Sequence, residues 1–117
     1  MKKKLTVYQK PTCTKCRTTL RLLQERGAEF EAINYFETRL TEADLRSLLK
    51  KLGLSPREIL RQDEPLAKRL GIGKKEFSDD ELIALMVKHP DLIQRPIVVH
   101  GDKAVLGRPP ENIEKLL

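Results

Sequence analysis

The first 34 residues predict a short strand, a helix and a second strand, and this order limits the folds that the chain can adopt. Residues 5–8 alternate between apolar and polar side chains, which is typical of a half-buried strand. An amphipathic segment over residues 14–26 predicts a helix, which Gly27 would end. Phe30–Asn34 predicts the second strand. Because the segment is so short, we expect a βαβ unit with parallel strands and a right-handed crossover.

The middle of the chain predicts helices. Three positions carry an N-terminal capping pattern, in which a Ser or Thr is followed three residues later by an acidic residue. They are Thr41, Ser55 and Ser78. Ser55 is followed by a proline, which favours the first helical position. These patterns predict a helical insert after the βαβ unit.

The end of the chain returns to strands. Residues 97–100 and 103–106 flank Gly101 and Asp102, a favourable two-residue hairpin turn, and a short helix should follow to residue 116. The predicted order is βαβ, helical insert, ββα. We therefore predict an α/β fold of thioredoxin-like (glutaredoxin-like) type, a mixed four-stranded sheet with the helical insert between the βαβ and ββα parts. One such domain should occupy residues 1–117.

The composition excludes several classes of protein. Hydrophobic residues form 39% of the 117 residues, enough for one core, and no apolar run approaches the roughly 20 residues that span a bilayer. The basic N-terminus is not followed by a signal-peptide segment. The formal charge is +6, but basic and acidic residues alternate and only 4% are aromatic, which argues against direct nucleic-acid binding. We expect a cytoplasmic protein with no membrane contact.

The chain has two cysteines, Cys13 and Cys16, placed between the first strand and the first helix. In a reducing compartment such a pair is more often catalytic than structural. Free N–H groups and the helix dipole stabilise a thiolate at a helix start, and Lys15 and Arg17 add positive charge. We expect Cys13 to be the exposed attacking thiol and Cys16 the more buried resolving thiol.

Other interpretations of the cysteines compete with this one. A zinc site would need a second ligand pair, and His89 and His100 do not have that spacing, so no metal is expected. Cys16 could instead be a small apolar core residue, or both thiols could be inert. A phosphatase-type loop would need an arginine at the position of Thr19.

Five separated segments contain further motifs: Tyr8-Gln9-Lys10-Pro11-Thr12-Cys13 with Arg17, Glu58-Ile59-Leu60-Arg61, Phe77-Ser78-Asp79-Asp80, His89-Pro90 with Arg95-Pro96-Ile97-Val98-Val99, and Gly107-Arg108-Pro109-Pro110-Glu111. In this order they resemble the glutaredoxin-fold arsenate reductases and the related redox-responsive regulators called Spx. The similarity runs nearly end to end.

The resemblance implies a nucleophilic Cys13 and a cis peptide bond between Arg95 and Pro96. It also implies an oxyanion site, because guanidinium groups match the oxygens of a tetrahedral dianion. The arginines of that site would come from three separate segments and are Arg61, Arg95 and Arg108. Arg17 and Pro96 would support the site.

We therefore expect an enzyme that reduces arsenate to arsenite, with Cys16 or an external thiol as resolver. No cofactor would be bound, and glutathione, glutaredoxin or thioredoxin would donate electrons. The alternative is an Spx-like redox-sensing transcriptional regulator that binds RNA polymerase. Cys16 is typical of the regulators, whereas the segment containing Arg108 is typical of the enzymes.

Overall fold

The computed structural model describes residues 4–10, 12–62, 64–72, 76–107 and 109–116. The chain forms two compact units. The first unit contains the residues up to 38 and those from 95 onward, and it includes the sheet and both cysteines. The second unit contains residues 39–94 and corresponds to the predicted helical insert.

The first unit is built on a mixed four-stranded sheet in the order β2-β1-β3-β4. β1 is parallel to β2 and antiparallel to β3, and β3 is antiparallel to β4. Helix α1 connects the two parallel strands, so the predicted thioredoxin-like fold and its order of elements are confirmed. The elements are β1 (Leu5–Gln9), α1 (Thr14–Glu25), β2 (Phe30–Asn34), β3 (Ile97–His100), β4 (Lys103–Leu106) and a C-terminal 3-10 helix (Pro110–Leu116).

The core of this unit lies where α1 and the C-terminal 3-10 helix pack on the sheet. Alternate residues of β1 face this core, as the period of two in a strand requires. Burial of apolar side chains is the main stabilising contribution at such a contact. The cluster consists of Leu5, Val7, Leu23, Val98, Ile113 and Leu116.

The second unit contains α2 (Glu42–Leu52), α3 (Pro65–Arg69) and α4 (Asp79–Lys88), with 3-10 helices at Pro56–Ile59 and Pro90–Leu92. All three predicted capping boxes are present, at Thr41, Ser55 and Ser78. The Thr41 hydroxyl accepts the N–H of Asp44 at 3.1 Å, and the Ser78 hydroxyl accepts the N–H of Glu81 at 3.2 Å. In the reciprocal bonds the backbone N–H groups of Thr41 and Ser78 donate to the side-chain carboxylates of Asp44 and Glu81.

Three helical segments differ from those that the sequence predicts. Ser55 is followed by a 3-10 helix of four residues, because Leu60 is extended and forms a β-bridge with Ile93. The short α3 was not predicted. The last helix is a 3-10 helix rather than an α-helix.

Among the described residues, no helix combines the length and the apolar character that crossing a bilayer requires. One domain over residues 1–117 stays a prediction.

Ser78→Ala should lower the free energy of unfolding by about 1 kcal/mol, because the N–H of Glu81 loses its acceptor. Chemical denaturation measures the change. Ser47→Ala is the control, since Ser47 is exposed inside α2, where alanine is the better helix former. Equal losses in both variants would contradict the capping role.

Candidate active site

Cys13 lies immediately before the first turn of α1. Its backbone is extended (φ −81°, ψ 121°), and its N–H donates to the Lys10 carbonyl at 2.9 Å, which forms the turn after β1. The N–H of Arg17 donates to the Cys13 carbonyl at 3.2 Å and begins the helix. The half-buried Cys13 side chain therefore stands beside the N–H groups of the first turn that have no partner within the helix.

Cys16 lies one turn further along α1 and is fully buried, with 0% of its surface exposed. It shares this buried face of the helix with Thr19 and Leu23. The predicted difference in exposure between the two cysteines is confirmed. Both are free thiols.

The environment of Cys13 lowers the pKa of its thiol from the ordinary value. Burial is the largest single effect and opposes ionisation. Hydrogen bonds from the Cys16 thiol and the Cys16 backbone, added to the contribution of Arg95, outweigh the effect of burial. Arg95 contributes a hydrogen bond and its positive charge. The contact between the Cys13 sulfur and the Cys16 backbone does not have the geometry of a regular helix-capping hydrogen bond. The net effect favours the thiolate.

The environment of Cys16 acts in the opposite direction and raises the pKa of its thiol to about 12. Burial is the main cause, and the hydrogen bond and charge of Cys13 add to it. A backbone hydrogen bond with Lys10 and the charge of Arg95 oppose the rise. Cys16 therefore keeps its proton and donates it toward the Cys13 sulfur.

Arg95 provides the positive charge at this site. It is only 8% exposed, it donates hydrogen bonds to Cys13 and Tyr35, and its guanidinium carbon lies 5.8 Å from the centroid of the Phe36 ring. Burial alone would lower the pKa of the guanidinium, but the contacts with Tyr35 and Cys13 reverse this and raise it. Arg95 is therefore a buried, permanently charged partner for the thiolate.

Two guanidinium nitrogens of Arg95, Nε and Nη1, are buried donors without a hydrogen-bond partner. Buried donors without a partner are uncommon, and a charged one is expensive. Gln9, at the end of β1, likewise has a buried Oε1 without a partner. An anionic ligand at Arg95 would satisfy the two donors.

Pro96 lies in tight packing next to Arg95, and the peptide bond between them is cis, as predicted. The Thr19 hydroxyl donates to the Gly107 carbonyl at 3.3 Å, and the Gly107 N–H donates to the Pro96 carbonyl at 2.8 Å. A Cβ at Gly107 would lie 2.7 Å from Pro96 Cγ and 2.9 Å from Thr19 Oγ1. Only a glycine fits there without a shift of its neighbours.

The other predicted arginines have different surroundings. Arg17 is exposed on the first turn of α1. Arg61 is half-buried in the second unit, where its Nη1 lies 3.6 Å from Glu64 Oε2 and its Nε is buried without a partner. Arg108 lies outside the described residues. The convergence of Arg61, Arg95 and Arg108 stays a prediction.

The histidines have local surroundings that do not suggest a zinc site. His100 Nδ1 lies 2.9 Å from the Leu116 carbonyl oxygen, and His89 lies at the C-terminus of α4. Among the described residues, no cluster of three or more His, Cys, Asp or Glu side chains could hold a metal ion.

Tyr35 and Phe36 were not among the predicted site residues, although both contact Arg95. A signal for them was available. Parallel strands end at the same edge of a sheet, so the residues after β2 lie next to the segment that leads from β1 to Cys13. Two aromatic residues at that position were candidates for the site.

Cys13 should react with an alkylating reagent along a pH profile whose inflection lies below the value of about 8.5 for an ordinary thiol. The contacts of Cys16 and Arg95 with its sulfur cause the shift. Cys16→Ser isolates this thiol while keeping a hydroxyl donor, and the matched Cys13→Ser protein should react slowly and ionise only at much higher pH. An inflection at or above about 8.5 in Cys16→Ser would rule out an activated nucleophile.

Comparisons with known proteins show the family to which this chain belongs. A family model described as "ArsC family" matches residues 8–116. The uncharacterized protein YfgD of Escherichia coli K12 is 46% identical over 118 residues, covering 100% of this chain and 99% of YfgD. An arsenate reductase of Neisseria meningitidis serogroup A is 39% identical over 112 residues, covering 95% of this chain and 96% of the relative.

A solved structure of the arsenate reductase from Vibrio cholerae superimposes with a TM-score of 0.94 at 41% identity, and each chain is covered to 100%. The family model and these relatives span nearly all of the sequence, and the fold agrees with theirs. The chain therefore belongs to the ArsC family.

Proposed function

We propose that this protein is a thiol-dependent oxidoreductase that reduces arsenate to arsenite, with Cys13 as the nucleophile. The observation that carries the proposal is the contact of an acidified Cys13 thiol with Arg95, a buried guanidinium that has two nitrogens without a hydrogen-bond partner. The Neisseria and Vibrio relatives are named arsenate reductases, which favours the enzyme over the regulator that binds RNA polymerase.

Arg95 is suited to bind an oxyanion beside the sulfur. Arsenate is a tetrahedral anion at neutral pH, and its oxygens accept charge-assisted hydrogen bonds from guanidinium groups. Attack by an anionic thiolate on an anionic substrate also needs the negative charge neutralised. The Nε and Nη1 donors of Arg95 would meet both needs.

In the first step the Cys13 thiolate attacks arsenic. A sulfur–arsenic bond forms, one arsenate oxygen leaves as water after protonation, and arsenic stays in the +5 state. The negative charge on the Cys13 sulfur is consumed in this step. Two of the effects that raise the pKa of Cys16, the hydrogen bond and the charge of Cys13, change with it.

In the second step a thiolate attacks the Cys13 sulfur and breaks its bond to arsenic. The electron pair of that bond stays on arsenic, which leaves as arsenite in the +3 state, while the two sulfurs are oxidised to a disulfide. Cys16 is the proposed attacking thiol because it lies one turn from Cys13 and contacts its sulfur. An external thiol is the other candidate.

A thiol reductant must then return two electrons to the disulfide. Glutathione, glutaredoxin or thioredoxin would serve, and no bound cofactor is needed. This cycle needs a reducing thiol pool, so we place the protein in the cytoplasm.

Arg95→Ala should weaken arsenate binding roughly tenfold to more than a hundredfold, because a charged hydrogen bond contributes about 1.5–3 kcal/mol. The KM for arsenate, measured with a coupled thiol reductant, gives the change. Arg21→Ala removes an exposed arginine of α1 and is the control. Arg95→Lys, which keeps the charge but not the fork, should be intermediate.

The same assay tests the wider cluster through Arg61→Ala and Arg108→Ala. An unchanged KM in either variant would remove that arginine from the site. An unchanged KM in Arg95→Ala would overturn the proposed oxyanion contact. Absence of arsenate-dependent turnover by the parent with glutathione, glutaredoxin and thioredoxin would overturn the enzyme assignment.

Cys16→Ser tests the resolver. With arsenate and no added thiol, the parent should release one arsenite per chain and form a disulfide between Cys13 and Cys16, which peptide mapping detects. Cys16→Ser should release no arsenite under these conditions. If a thiol reductant is added to both proteins, turnover by Cys16→Ser at the parent rate would assign the second step to an external thiol instead.

A further inference from the structure

The turn after β2 is held by its own hydrogen bonds. Asn34, the last residue of β2, accepts the Phe36 N–H through its side-chain Oδ1 at 3.0 Å. Its carbonyl accepts the N–H groups of Glu37 and Thr38 at 3.1 and 2.9 Å. Asn34 is also the register partner of Gln9, the last residue of β1. Tyr35 and Phe36 are therefore fixed at the sheet edge where β1 ends.

Tyr35 is almost completely buried, with 1% of its surface exposed. Its ring packs against Phe36 with the two centroids 5.0 Å apart. A buried phenol hydroxyl costs free energy unless it has a hydrogen-bond partner, and phenylalanine would avoid that cost. The hydroxyl of Tyr35 is hydrogen-bonded to the guanidinium of Arg95.

Phe36 contacts the same guanidinium through the face of its ring. The ring centroid lies 5.8 Å from the guanidinium carbon of Arg95 and 4.6 Å from Lys10 Nζ. A cation over an aromatic face at this distance is attracted by the ring quadrupole. Arg95 thus has the Tyr35 hydroxyl, the Phe36 ring and the Cys13 sulfur as separate contacts, which together restrict a long and flexible side chain.

We propose that Tyr35 is a positioning residue for the thiol chemistry: with Phe36 it holds the Arg95 guanidinium in the orientation that contacts Cys13 and leaves Nε and Nη1 free for the substrate. This inference rests on the proposed role of Cys13 as nucleophile. In the proposed role Tyr35 touches neither the substrate nor the reacting sulfur. It acts through Arg95.

Two consequences separate this role from a purely structural one. Arg95 favours the ionised form of Cys13, so a loosely held Arg95 leaves a weaker acid and moves the alkylation inflection to higher pH. Arg95 also orients the substrate, so kcat/KM for arsenate falls. A loss of stability alone would change neither the alkylation inflection of Cys13 nor kcat/KM for arsenate while the protein stays folded.

The test is Tyr35→Phe, which keeps the ring and removes the hydroxyl. In the Cys16→Ser background, the alkylation inflection of Cys13 should shift upward. In the otherwise wild-type chain kcat/KM should fall about three- to tenfold, which is the change expected from the loss of one hydrogen bond. Tyr8→Phe removes the only other tyrosine hydroxyl and is the matched control, with an unchanged profile. Phe36→Leu removes the aromatic contact with Arg95 and should likewise raise the alkylation inflection and lower kcat/KM.

A double-mutant cycle shows whether the effect passes through Arg95. In an Arg95→Lys background, Tyr35→Phe should cause little further change, because contacting residues that act as a unit are not additive. Thermal melting of each variant confirms that the folded protein is being compared. Fully additive effects, or equal shifts in Tyr35→Phe and Tyr8→Phe, would overturn the proposal.

The two readouts also separate this inference from the proposed function. A shifted inflection in Tyr35→Phe, with no arsenate turnover by the parent, would keep the positioning role and refute the substrate. An unmoved inflection, with normal arsenate turnover by the parent, would refute the positioning role and keep the substrate.

Discussion

The contact between the Cys13 sulfur and the Arg95 guanidinium is the interaction on which the proposed chemistry of this site depends. A half-buried thiolate and a buried guanidinium are each costly alone, and together they offset part of that cost. The sheet brings them together: Tyr8 and Ile97 are register partners on antiparallel strands, so the chain leaving β1 toward Cys13 lies at the same edge as the chain entering β3 from Arg95.

The two thiols of one helical turn differ because their surroundings differ. Cys13 stands at the helix start and is half-buried, whereas Cys16 lies on the buried face of α1 with Thr19 and Leu23. The Cys16 proton stabilises the Cys13 thiolate, and the Cys13 charge in turn holds that proton in place. In the proposed reaction this mutual dependence sets the order of the two steps, since Cys16 becomes easier to ionise once the Cys13 sulfur has bonded to arsenic.

Local patterns predicted much of the fold and half of the site. The caps at Thr41 and Ser78, the four strands and the start of α1 at the cysteines depend on residues within a few positions of each other. The part that was missed depends on distant residues. Thr19 and Gly107 are 88 positions apart, yet a hydrogen bond joins them, and nothing in either segment alone indicates it.

By itself, the sequence determined that a dithiol motif lies between a strand and a helix, because strand alternation, helix periodicity and capping are short-range properties. It also indicated Arg95 through its resemblance to a family. The folded structure was needed to show that Arg95 is buried, that it forms hydrogen bonds with Tyr35 and Cys13, and that two of its guanidinium nitrogens have no hydrogen-bond partner. The reason is physical: burial and hydrogen-bond partners depend on which segments the sheet register places side by side, and short-range patterns do not contain that register.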